Sequence, residues 1–146
     1  MLSIYETAGI TATIAMHIVP ALDIYKLGMP QWQQGYTKEF SDILKRYSNT
    51  IDFVYTGHTH HSLVFNAEVP IIVNPAISPI FGDYPGFRYY KPHTWEDWVL
   101  DYDDYKWYKM YDFGEEYGLP EIDIPSLADK IASNDEMTLK YLINSH

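Results

Sequence analysis

Two short apolar runs, Thr11–Ile18 (TATIAMHI) and Ile51–Thr56 (IDFVYT), flank one strongly amphipathic stretch, and that order constrains the fold more than anything else in the chain. Apolar runs of this length, rich in β-branched residues, read as buried strands. Between them, Tyr36, Phe40, Ile43, Leu44 and Tyr47 recur at i, i+4, i+7, i+8 and i+11. That spacing is one face of a helix over Tyr36–Tyr47, with Lys38, Glu39, Asp42, Lys45 and Arg46 turned away. Pro20 stops the first strand, Ala21–Gly35 is irregular, and Ser48-Asn49 ends the helix. Upstream, Glu6-Thr7-Ala8-Gly9 reads as a helix end with glycine beyond its C-terminus. Downstream, Ser62–Phe65 and Pro70–Val73 read as short strands, Pro75–Pro79 as loop and Gly82–Gly86 as a turn. Phe87–Tyr90 and Trp98–Tyr102 read as paired strands joined by a loop around Pro92–Asp97. Ser126 with Asp129, and Ser133 with Glu136, have capping-box spacing, so the C-terminal part is expected to be helical, with Met137, Tyr141 and Leu142 as a buried face. The element order predicts a mixed α/β architecture.

Composition bounds the function. At 146 residues the chain suits one domain or part of one. Its 47% hydrophobic and 21% charged residues are globular values, which argues against wholesale disorder. The absence of cysteine excludes disulfides and thiolate chemistry within this chain. A net charge of −10 argues against a basic nucleic-acid groove. No apolar run approaches the roughly 18–20 residues of a membrane span. Met1–Ile18 lacks a basic leader and carries Glu6, so it is a poor signal peptide.

The stretch that carries chemistry is Gly57-His58-Thr59-His60, directly after the second strand. Imidazole is the commonest neutral ligand for zinc and similar ions. In an extended segment, residues i and i+2 project to one side, and a glycine beside them permits a sharp turn and close backbone approach. His17 occupies the same position at the end of the first strand. In α/β sheets, strand ends are where sites are built. A bare His-x-His is also a common structural pattern, so it is the strand-end context and His17 that point to metal.

With those residues in view, the chain resembles a family. Gly57–His60 is similar to the last metal motif of the calcineurin-like metallophosphoesterases. The resemblance extends to the acid sphingomyelinase-like branch: His17-Ile18-Val19-Pro20-Ala21 looks like a degraded His-Ile-Pro-Pro-Gly loop, and Tyr47-Ser48-Asn49-Thr50-Ile51 is again similar. Pro75-Ala76-Ile77-Ser78-Pro79-Ile80, Tyr84-Pro85-Gly86-Phe87-Arg88-Tyr89-Tyr90 and Glu116-Tyr117-Gly118-Leu119-Pro120 match further stretches of that branch. The resemblance implies the C-terminal half of a metallophosphoesterase-type α/β/β/α sandwich over residues 1–112, then a helical C-terminal region over 113–146. It implies a hydrolase using two divalent ions, usually zinc, with His17 and His58 on one ion and His60 on the other. Such ions clamp a phosphate ester and acidify water for attack on phosphorus.

The family's earlier Asp-x-His, Gly-Asp and Gly-Asn-His motifs do not occur here, and Gly82-Asp83 sits in the wrong order. Two adjacent divalent ions need a bridging carboxylate, which neutral histidines do not provide. At most one ion is therefore expected on this chain, no catalytic residue is identifiable, and little or no phosphoesterase activity is expected from the chain alone. The expected partners are the missing N-terminal half, from the same gene or another chain, or further copies in an oligomer. The expected substrate is a phosphate ester, a lipid among the possibilities. The alternative is a non-catalytic structural or interaction subunit. Relatives are mostly secreted or lysosomal, whereas this chain has no signal peptide, cysteine or Asn-x-Ser/Thr acceptor.

Other residues admit two readings each. His61 reads as a solvated neighbour of the motif, and His93 and His146 as residues without a role. Asn74 lines the site loop or caps a turn; Arg88 meets a phosphate or forms a salt bridge on a strand. Tyr102, Tyr105, Tyr108 and Tyr111, with Trp107, form an aromatic platform for lipid or glycan, or a half-buried face against a sheet. Asp101, Asp103 and Asp104 form a calcium site or, by default, a solvated turn.

Overall fold

The computed structural model describes residues 1–22, 28–80 and 84–145. His146, Gly82 and Asp83 lie outside the described residues. The chain divides into two compact units, Met1–Thr59 with Val64–Val73, and His60–Leu63 with Asn74–His146. Both sheets and the helices fit the mixed α/β expectation.

The first unit opens with α1 (Leu2–Ala8), which ends at Gly9 in the left-handed conformation, φ 66°. Then come β1 (Ala12–Ile18), α2 (Gln34–Arg46), β2 (Ile51–Gly57), β3 (Leu63–Phe65) and β4 (Ile71–Val73). The sheet order is β1-β2-β4-β3, with β1 parallel to β2 and β2 parallel to β4. Parallel strands need a long crossover, and the segment carrying α2 supplies it between β1 and β2. All three residues of β4 are buried, and Val54 and Ile72 are inaccessible to solvent. The edge strand β1 instead alternates half-buried and exposed residues, with Thr13, Ala15 and His17 exposed. The α2 face is narrower than its sequence period predicts: only Leu44 is buried, and Tyr36 and Ile43 are exposed. Phe40 packs on Trp32 at 5.5 Å, and Tyr36, Phe40 and Ile43 line an open groove.

The second unit is a three-stranded antiparallel meander, β5 (Gly86–Lys91), β6 (Thr94–Asp101) and β7 (Lys106–Asp112), followed by α3 (Phe113–Tyr117), α4 (Ile124–Ser133) and α5 (Asp135–Asn144). Here the sequence expectation needs three corrections. The expected loop Pro92–Asp97 is mostly strand, because the turn needs only two residues. Proline presets the first of them, and His93 takes the left-handed second at φ 71°. The Tyr105–Tyr111 stretch contributes a strand whose side chains point to solvent. Tyr102, Tyr105, Tyr108 and Trp107 are exposed and only Tyr111 is buried, so the series is not the half-buried face expected. The helix caps also lie elsewhere: Asp123 accepts from the Ser126 N–H at 3.0 Å, and Asn134 accepts from the Glu136 N–H at 2.9 Å. Ser133 sits in the last turn of α4, donating to the Asp129 carbonyl.

The core of this unit packs Trp95 at a tilt against Phe113 (4.1 Å) and Phe113 edge to face with Tyr117 (5.3 Å), and Ile124 and Leu127 are buried as well. Met137 and Tyr141 are half-buried and Leu142 is exposed; α5 instead buries Asn144 and Ser145. Asn144 Nδ2 donates to Tyr117 OH at 3.3 Å, and burial pushes the Tyr117 hydroxyl up to about 12. Among the described residues no helix is long and apolar enough to cross a membrane.

Candidate metal centre

The register of β1 against β2 builds the site. Ile18 pairs with Gly57, so the strands end together. His17 lies one residue before that pair and His58 one residue after it, which makes their rings neighbours. His58 Nδ1 stands 3.2 Å from His17 Nε2, and the rings meet edge to face with centroids 5.1 Å apart. Both residues are exposed.

Two imidazole nitrogens that both present lone pairs repel at this distance, so something positive must lie between them. A ring N–H satisfies that need, and so does a cation. Two nitrogen ligands on a tetrahedral zinc, at about 2.0–2.1 Å each, stand about 3.3 Å apart. The observed spacing therefore fits two of the four corners of such a site. The remaining corners are not supplied nearby: among the described residues no group of three or more His, Asp or Glu side chains has metal-binding geometry.

The backbone of the motif corrects the expectation about its glycine. A Cβ on Gly57 would meet His17 Nδ1 at an ordinary 3.9 Å, so close approach does not require glycine there. The left-handed conformation falls on the histidines, at φ 72° for His58 and 65° for His60. Among the described residues the other two non-glycine residues with positive φ, His93 and Tyr105, sit in hairpin turns, where that conformation is expected. His58 and His60 have no hairpin to account for theirs. Strained backbone of this kind persists only where its surroundings over-determine it, and it clusters at functional sites.

His60 is half-buried and belongs to the second unit, so the three candidate ligands are not one cluster within a unit. His61, expected to be solvated, is also half-buried, with Nδ1 shielded from water. Asn74 accepts from Tyr90 OH at 2.7 Å. In the β6–β7 turn, Asp101 accepts from the Asp103 N–H, and Asp104 accepts from the Lys106 N–H and Tyr108 OH. These carboxylates brace a turn, as the default reading had it.

Arg88 follows its salt-bridge reading. It pairs with Asp97 through Nε–Oδ1 and Nη2–Oδ2, both 2.7 Å, with side chains only 1% and 4% exposed. Its guanidinium lies over the Trp95 ring at 4.2 Å. Burial opposes its charge, but the hydrogen bonds and attraction of Asp97 prevail and hold its pKa above the ordinary guanidinium value. Sequence reasoning missed Ser62 and Asp97, which complete this cluster. Asp97 had been placed in a loop, and no local pattern pairs it with a residue 35 positions earlier.

Together these observations describe a mixed α/β chain with a histidine pair at adjoining strand ends. No protein-family model matches it. It is similar to the sphingomyelinase phosphodiesterase D of Dictyostelium discoideum, at 23% identity over 166 aligned residues. The match covers 93% of this chain and 38% of that protein, so the chain spans well under half of that relative's length.

Proposed function

We propose that this chain is the C-terminal half of a calcineurin-like metallophosphoesterase domain of the acid sphingomyelinase-like branch. The complete enzyme then hydrolyses a phosphate ester, a lipid phosphodiester being the first class to test. Residues 1–112 belong to the catalytic domain and 113–146 form the helical region after it. The observation that carries the reading is the 3.2 Å approach of His17 Nε2 and His58 Nδ1 at the ends of parallel strands. The similarity to a protein named as a sphingomyelinase phosphodiesterase supports it.

In this reading His17 and His58 hold one divalent ion, zinc first among candidates, and His60 contributes to a second. Bound divalent ions supply Lewis acidity to phosphoryl oxygens and acidify water near neutral pH. The chain's own part is to present two neutral nitrogen lone pairs at ligand spacing, on strand ends that hold their direction. Among the described residues no carboxylate clusters with these histidines, so groups from a longer chain, a partner chain or another copy complete the centre. The chain alone holds at most one ion and turns over phosphodiesters poorly or not at all. A secretory or lysosomal location would follow from the family.

The test is metal content per chain by elemental mass spectrometry, on material purified without chelator, for wild type, His17→Ala, His58→Ala and His93→Ala. We expect up to one zinc in wild type and His93→Ala, and none in the other two. A folded wild-type chain that takes up no zinc overturns the reading. It would favour a structural or interaction subunit, which the degraded Val19-Pro20-Ala21 loop also suits.

A further inference from the structure

Ser62, two residues after His60, is tied down from four directions although it is no candidate ligand itself. Its Oγ donates to Asp97 Oδ2 at 2.7 Å and accepts from Arg88 Nη2. Tyr111 OH lies 3.4 Å from that Oγ and donates to Asp97 Oδ2 at 2.9 Å. The Ser62 backbone N–H donates to the Ser145 carbonyl at 3.2 Å. One small residue is thereby linked to β5, β6, β7 and the end of α5. His60, Ser62, Asp97 and Asn144 share the wall of a cavity of about 20 Å³.

The chemistry of this cluster is unusual for a merely cohesive core. Taking Arg88 and Asp97 out of water offsets most of their mutual attraction, and apolar residues of the same volume would hold the meander together as well. What charged, bidentate hydrogen bonds supply is direction. The feature nearby that needs direction is the left-handed backbone of His60, at φ 65°.

We propose that Ser62, braced by the Arg88–Asp97 pair and Tyr111, is a positioning residue for His60. It sets the turn of the His60 backbone and, through that, the direction of the imidazole. The functional part of this inference rests on the reading above that His60 is a metal ligand. The geometric part does not.

The experiment uses the 146-residue chain in four forms: wild type, Ser62→Ala, Ser62→Thr and His60→Ala. Nuclear magnetic resonance reads the His60 amide and imidazole nitrogens without metal, and visible absorbance follows titration with Co²⁺. Ser62→Ala is expected to shift the His60 resonances while leaving the one Co²⁺ held by His17 and His58 bound as in wild type. Ser62→Thr keeps the hydroxyl, can place its methyl in the small cavity, and is expected to restore the wild-type His60 resonances. Should Ser62→Ala not fold, Tyr111→Phe, which removes one hydroxyl from the same cluster, is read in the same way. Unchanged His60 resonances in a folded variant overturn the proposal. His60→Ala assigns the His60 resonances, and if wild type binds no Co²⁺, the metal reading above fails. In that case a shift of the His60 resonances in Ser62→Ala still upholds the positioning role, and no shift overturns it.

Discussion

His17 and His58 in the first unit are exposed, and they face one another across 3.2 Å. Arg88 and Asp97 in the second unit are almost wholly buried and satisfy one another across two 2.7 Å contacts. The sheets differ in the same sense. The edge strand β1 leaves every second residue exposed, whereas β6 buries Trp95 and Asp97 on the face that carries the cluster. The contrast teaches how to separate polar groups that hold a fold from polar groups left available for a ligand. The first kind is dehydrated and internally paired. The second keeps lone pairs at the surface, in a geometry that the rest of the chain maintains.

The sharpest break of that comparison is Asp97→Ala. Removing one partner of a buried pair strands the other charge, and about 3–5 kcal/mol of stability should be lost. Urea denaturation measures it, and a loss under about 1 kcal/mol would mean that water reaches the pair. Next, Ile72→Ala in the fully buried centre of β4 should cost about 3 kcal/mol, and Ile14→Ala on half-buried β1 about 1 kcal/mol. Equal costs would erase the difference between centre and edge of the first sheet.

Asp112→Ala should cost about 1–2 kcal/mol, because Asp112 caps α3 through the Gly114 and Glu115 N–H groups. Burial is the largest single influence and raises its pKa, but Lys91, the two N–H groups and Thr94 together outweigh it and hold the carboxyl below its usual value. A depressed folded pKa contributes stability above the unfolded pKa, about 3.9, and loses it as pH falls through the folded value. The difference between variant and wild type should thus be full at pH 6 and shrink below about pH 4. A difference that does not change with pH would show that the charge plays no part. The smallest effect on stability belongs to His17→Ala, within about 0.5 kcal/mol for an exposed side chain. Zinc uptake should nevertheless vanish. A large loss of stability without any change in zinc would place His17 among the residues that hold the fold.

Much of the architecture was legible because it depends on local period and punctuation. The apolar runs of β1 and β2, the helix between them, Gly9 as a helix end and the short strands β3 and β4 all fall within a few residues of their expected places. The misses came where local signals were ambiguous. Pro92-His93 forms a turn of two residues where a longer loop was expected, and that returned Trp95 and Asp97 to a strand. Asp123 and Asn134 took the caps assigned to Ser126 and Ser133, because either residue type accepts an N–H equally well from one position or another. The aromatic series at Tyr102–Tyr111 repeats every third residue, which on a strand alternates faces, so it cannot form one buried surface.

By itself the sequence determined that strands alternate with helices, that His17 and the Gly57–His60 motif stand at strand ends, and that these 146 residues carry no thiol. Those properties follow from residue types and near-neighbour spacing. Only the tertiary structure decided that Ile18 and Gly57 share a register, which sets the two rings 3.2 Å apart. It also decided that Arg88 would meet Asp97 and Ser62 rather than solvent. Contacts between residues 9 to 41 positions apart depend on strand pairing and burial, which no local pattern encodes.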